Sequence, residues 1–195
     1  MKKIELIWRE ILENGQKDPV FEQKELASRL GLSTSTVFAA LEPLRAIGAV
    51  TVGGRGFRLT NFSKVLFFWA THRNLAKDIV YKTRVDLPMV EIEGLVDNET
   101  IYGAYSAGRR LLGQAPADYD KVYLYASKTD NLIRRFPRAG GAANVFVLQA
   151  DPGLPAFGKM TPVSQTFVDL WNLPDWFAQD FLEALKEKFY GGLLS

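Results

Sequence analysis

The chain of 195 residues contains no cysteine. That excludes disulfides, thiolate zinc sites, iron–sulfur clusters and cysteine nucleophiles together. Its single histidine, His72, has no second histidine or cysteine to share a metal. Its place on an apolar helical stretch suggests a half-buried structural ring. No apolar run reaches the ~18 residues that a transmembrane helix needs, so no membrane partner is expected. Acidic residues interrupt the opening MKKIELIWRE too early for a secretory signal, and the expectation is a cytoplasmic protein. P-loop, dinucleotide fingerprint and nucleophile elbow are all missing, so neither a cofactor nor an enzyme is expected. Internal repeats and low-complexity tracts are also absent.

Apolar residues, by contrast, make up 47% of the chain, enough for a packed core. The net charge of +2 says little until it is divided. Residues 1–77 carry 12 Lys/Arg against 7 Asp/Glu, a net +5, and residues 78–195 carry 12 against 15, a net −3. The basic half favours a polyanionic partner.

That half is organised around Gln23–Leu44. Leu26, Ala27 and Leu30 form one helical stripe, and Val37, Ala40, Leu41 and Leu44 form a second. Gly31 supplies the turn between them, and Ser33 is placed to cap the next helix. The spacing predicts a helix-turn-helix, with helices at about 22–30 and 34–47. An amphipathic helix over 4–14 precedes it, and Gln16–Val20 reads as a loop. Pro43 is expected to bend the third helix, and Gly48 to cap it. Val50–Val52 and Phe57–Thr60 then alternate as strands around the turn Gly53-Gly54-Arg55-Gly56. Three helices followed directly by a hairpin predict a winged helix. A nearly all-apolar helix over 63–76, capped by Ser63, reads as a connection to a second domain or as part of a homodimer interface.

From residue 78 the pattern predicts a small α/β domain: one or two strands around Pro88, a helix over 98–112, strands at 121–127 and 143–149, and helices at 161–170 and 175–189. The last helix should carry Trp176, Phe177, Phe181, Leu182, Leu185 and Phe189 on one side. The fold class is thus α+β or α/β: a winged helix-turn-helix over 1–77, then an α/β domain over 78–195.

In a winged helix the exposed start of the third helix faces the major groove of DNA. Here that start is Thr34, Ser35, Thr36 and Ala39, with Phe38 less clearly placed. Hydroxyls hold phosphates well but discriminate bases poorly. Arg55 and Arg58 on the wing, with Arg45 and Lys24, are candidate phosphate contacts. A protein-binding adaptor is one alternative. The other is a metal-dependent nucleotidyltransferase, active or degenerate, built on Asp118-Tyr119-Asp120; against it, the upstream Gly-Ser turn and a third strand carboxylate are missing. Arg109-Arg110 and Arg134-Arg135 with Arg138 read as solvated helix ends, an acidic-partner patch or an extended DNA footprint.

The winged-helix pattern, followed by IYGAYSAGRRLLGQAPADYDKVYLYAS (101–127) and MTPVSQTFVDLWNLPDWFAQDFLEAL (160–185), resembles the AbiEi-type antitoxins of type IV toxin–antitoxin systems. The resemblance implies a repressor whose winged helix binds inverted repeats in the promoter of its own operon. It carries the DNA role to Ser35, Thr36, Ala39, Arg55 and Arg58. It implies a nucleotidyltransferase-like toxin as protein partner, and no toxin-neutralising residue can be matched.

Overall fold

The computed structural model describes residues 1–191. The chain is mixed α+β, with nine α-helices among the described residues and two small sheets. Contacts divide it into two compact units, Met1–Arg73 joined by Tyr190, and Asn74–Phe189.

The first unit runs α1 (Lys3–Gly15), β1 (Val20–Glu22), α2 (Gln23–Arg29), α3 (Thr34–Ala46), β2 (Val50–Gly53), β3 (Gly56–Leu59) and α4 (Phe62–His72). Ile7, Trp8, Ile11 and Leu12 of α1 recur at helical spacing and are buried, as are Val37, Ala40, Leu41 and Leu44 of α3. The Trp8 indole N–H donates to the Ala40 carbonyl at 2.9 Å and fastens α1 to α3. Helix α4 packs on α1 and α3, burying Val65, Leu66, Trp69 and Ala70. Its covering explains the apolar run, and Tyr190 adds a ring 5.2 Å from Phe62. The cap of α4 is Asn61, whose side chain accepts from the Lys64 N–H at 2.9 Å. Ser63, expected in that role, instead donates to Asn61 at 3.0 Å. The helix stops at His72, which is exposed rather than half-buried. Its ring stacks on Phe68 at 3.9 Å, with Nδ1 2.8 Å from the Phe68 carbonyl oxygen.

One polar group sits deep in this unit. The Glu5 carboxylate accepts from the Trp69 indole at 3.1 Å and from Arg73 at 3.5 Å. The two charged side chains are only 3% and 1% exposed.

The second unit holds β4 (Ile79–Thr83), α5 (Met89–Gly94), β5 (Ile101–Gly103), α6 (Ala104–Leu112), β6 (Val122–Ala126), α7 (Asp130–Arg135), β7 (Val145–Gln149), α8 (Val163–Trp171) and α9 (Ala178–Leu185), which runs into a π-helical turn, Lys186–Tyr190. Its sheet has the order β4-β7-β6-β5; β6 and β7 are parallel, and the outer pairs are antiparallel. Every residue of β6 is buried. Val122, Leu124 and Ala126 pack with Ile92, Leu132 and Phe136 on one face. On the other, Tyr123 meets Tyr105 of α6, and the Tyr125 hydroxyl donates to Asp169 of α8 at 2.6 Å.

Several elements differ from the sequence expectation. The helix over 98–112 is shortened to α6, because Tyr102 and Gly103 pair with Leu124 and Tyr123 as β5. Gly103 fits there because a Cβ would fall 2.8 Å from the Tyr125 ring. Ala104 then turns the strand into the helix at a φ of 43°, a strained value for a residue with a side chain. The stretch after Pro88 is α5, not a strand, and α7 was not expected. Trp176 leaves the apolar side of the last helix and stands 77% exposed.

Removing the Glu5 carboxylate from beside a buried guanidinium is costly. Glu5→Ala is expected to lower the unfolding free energy by about 3–5 kcal/mol in urea titrations, with Glu5→Gln losing less because it still accepts from Trp69. A loss near zero for Glu5→Ala would show that this pair does not hold α1 to α4.

Candidate nucleic-acid interface

Helix α2 ends where Gly31 takes a φ of 63°, and the Leu32 N–H returns to the Ala27 carbonyl at 2.9 Å. Ser33 then opens α3, its hydroxyl accepting from the Thr36 N–H at 3.2 Å. The same hydroxyl lies 2.8 Å from those of Ser35 and of Thr36. The first turn of α3 therefore presents a linked set of hydroxyls at the positive end of a helix dipole. Thr34, Ser35 and Ala39 are exposed, and Thr36 is half-buried because it completes the cap. Among the described residues of this unit Phe38 is the most exposed large apolar side chain, at 56%. Glu42 follows on the outer face, and its charge opposes a polyanion beyond the second turn. Pro43 lies inside α3 and deprives the Ala39 carbonyl of its helical donor.

Arg45 is exposed near the end of α3, about 16 Å along the axis from Thr34. The end of that helix has a partner that was not expected: the Lys64 ammonium donates to the Ile47 carbonyl at 2.8 Å.

The hairpin is anchored by a strand at the junction of the expected loop, Gln16–Val20, and the expected second helix. β1 pairs with β3, so β3 is central in the order β1-β3-β2. Gly56 permits this approach, since a Cβ there would fall 2.5 Å from the Phe21 carbonyl oxygen. On the buried face the Phe21 and Phe57 rings stack at 5.0 Å. On the open face Arg58 stands between Val20 and Thr51. Arg55 occupies the tip after Gly54, which has a φ of 57°. Its carbonyl accepts from the Gln23 N–H at 3.2 Å, which ties the tip to the residue next to Lys24. The fold thus brings Lys24 and Arg55 to one edge, places Ser35 and Thr36 on one cap, and sets Arg58 in mid-sheet. All these cationic side chains are exposed.

The rival carboxylates lie in the second unit. Asp118 and Asp120 are exposed, and it is the residue between them that is anchored. The Tyr119 hydroxyl donates at 2.6 Å to buried Glu93, which also receives Arg109 at 2.5 Å and Arg110 at 2.7 Å. The Arg110 guanidinium covers the Tyr102 ring at 3.6 Å. Arg109 and Arg110 are therefore tied inward rather than forming a free basic patch. Arg134 is exposed and donates to the Asn131 side chain at 2.7 Å and to the Asp130 carbonyl at 3.4 Å. Lys121 pairs with Asp175, which also accepts from the Tyr105 hydroxyl at 2.9 Å. Among the described residues no group of three or more His, Cys, Asp or Glu side chains converges as a metal site would require.

Burial alone would raise the Glu93 pKa, but the hydrogen bonds from Tyr119, Arg110 and Arg109 outweigh it and hold it below the ordinary carboxylate value. Burial, then the bond to Glu93, raises Tyr119.

The chain matches no family model, no curated protein and no solved structure.

A carboxyl whose pKa is lower folded than unfolded stabilises the fold above its unfolded pKa, and that stabilisation is lost as pH falls through the folded value. The stability difference between wild type and Glu93→Gln is therefore expected to be largest at neutral pH and to shrink below about pH 4. Urea midpoints across that range measure it, and a difference that does not change with pH would contradict the assignment.

Proposed function

We propose that Met1–Arg73 is a winged helix that binds double-stranded DNA, and that the chain is a transcriptional repressor. The observation that carries this reading is the tethering of the Arg55 hairpin tip at Gln23, which gathers Lys24 and Arg55 on a basic unit whose α3 opens with exposed hydroxyls.

In this reading the first two turns of α3 enter the major groove. Thr34 and Ser35 bind phosphate or base edges, and Phe38 packs on a thymine methyl, the one apolar feature of the groove floor. Arg55 at the tip and Arg58 on the open sheet face bind the flanking backbone or minor groove, as Lys24 does from α2. Arg45 belongs to the edge of the footprint, past Glu42. No Arg or Asn grips a base in bidentate fashion from α3, so selectivity comes from DNA shape and from the spacing of two copies on an inverted repeat. The antitoxin role, with a nucleotidyltransferase-like toxin as partner, rests on the resemblance of residues 101–127 and 160–185. Asp118 and Asp120 are exposed, and no metal-holding group of three such side chains forms around them among the described residues, which does not favour the nucleotidyltransferase reading.

Gel-shift titrations of the double variant Arg55→Ala, Arg58→Ala test the proposal. Both side chains are exposed, so the melting temperature should hold. Duplex affinity is expected to fall, and the slope of log affinity against log salt to flatten by about two, one for each lost phosphate contact. Unchanged affinity and slope would remove the hairpin from the interface.

A further inference from the structure

The second unit contains a crevice that the DNA reading leaves unused. It has a volume of about 340 Å³ and opens at the carboxyl end of β6. Three separate segments wall it. The turn before β5 contributes Asp97 and Glu99, and the start of β5 Ile101. The end of β6 contributes Ala126, the loop after it Ser127 and Lys128, and the start of α7 Asn131. The return from β7 contributes Pro155, Gly158 and Lys159, before Met160 bridges to Tyr102.

The topology makes this gap. From the end of β6 the chain crosses through α7 to parallel β7, on one side of β6. From the end of β7 it returns to the other side, beyond β5, where Tyr102 donates to the Lys159 carbonyl at 2.9 Å and Thr161 donates to the Tyr102 carbonyl at 2.8 Å. Two connections leaving in opposite directions open a crevice outside the carboxyl ends of the strands, the place where sheets with parallel strands hold ligands. The volume lies within the range of small-molecule pockets.

The lining combines an apolar floor with charges of both signs. Ile101 and Ala126 form a buried apolar floor, 3% and 4% exposed. Lys128 and Lys159 stand exposed at the wall, and neither ammonium has a hydrogen-bond or ion-pair partner among the described residues. The facing carboxylates are Asp97 and Glu99. Asp97 is committed to its own turn, accepting from the Glu99 N–H at 3.0 Å and the Thr100 hydroxyl at 2.8 Å. Arg135 adds to the positive field on it. With Arg135 close to Asp97, three cations stand against the two carboxylates Asp97 and Glu99, and the two ammonium groups that line the crevice are without partners among the described residues, over an apolar floor. At Gly158 a Cβ would meet nothing within 4 Å, so the backbone borders open space.

We infer that this crevice binds a small organic anion: Lys128 and Lys159 grip a carboxylate or phosphate, and the apolar body of the ligand rests on Ile101 and Ala126. The inference is independent of the DNA reading, since it uses only residues of the second unit.

The test is a titration of the full chain, labelled with ¹⁵N, at constant ionic strength. The probes are benzoate, inorganic phosphate and benzylammonium. Benzoate is expected to move the amide signals of Ile101, Ser127, Lys128 and Lys159 saturably. Phosphate should move the two lysine amides more weakly, and benzylammonium should move none. In Lys128→Ala, Lys159→Ala, benzoate should bind about tenfold more weakly or worse, with the dispersed spectrum and melting temperature retained. Absence of saturable benzoate shifts, equal binding of benzylammonium, or undiminished binding by the double variant would each overturn the anion site. Phosphate binding as tight as benzoate would overturn the apolar half of the assignment.

Discussion

Glu5 lies in the interior of the first unit, and a carboxylate there must find donors or destabilise the fold by several kcal/mol. It finds the Trp69 indole and Arg73, both at the far end of α4. That requirement fixes how α4 lies on α1, and the Trp8–Ala40 bond then fixes α1 on α3. The outer face of α3 is exposed because its inner face is held in this way. The second unit repeats the device with Glu93, which draws Tyr119, Arg109 and Arg110 from two segments to α5. Buried ion pairs are weak sources of net stability, but they penalise any arrangement that leaves a charge alone.

The proposed interface follows from that frame. Its cations are exposed on short elements that a packed interior positions, and its hydroxyls are linked before any ligand arrives. The consequence is a surface suited to the backbone of a duplex more than to its base edges. Phe38 is the exception, an apolar side chain 56% exposed on the outer face of α3.

Elements with a period and clear punctuation were readable from the sequence. α1, α2 and α3 each bury a helical stripe, and Gly31, Gly48 and Gly54 take positive φ where the chain turns. Short elements made by tertiary pairing were not. β1 has three residues, too few to show alternation, and exists because β3 pairs with it. β5 falls within the expected helix because Ile101 and Tyr102 also fit helical spacing; Gly103 and Gly108 both weaken that helix, and only Gly103 marks the break. The stretch at Val90 and Ile92 alternated like a strand, yet only Ile92 and Glu93 of α5 are buried. The candidate interface was readable as residue types, while the tie between Arg55 and Gln23 needed the unseen strand. Tyr119 looked like a spacer between two acids, since its partner Glu93 is 26 positions away. The crevice could not be read at all, because three distant segments build it.

The most direct measurement of the central claim is amide chemical-shift mapping of the full chain with a short DNA duplex at low salt. The account predicts that the signals moving most belong to Thr34–Ala39 and Gly53–Arg58, with Lys24 beside them. Perturbations confined to Asn74–Phe189, or none on adding duplex, would contradict it.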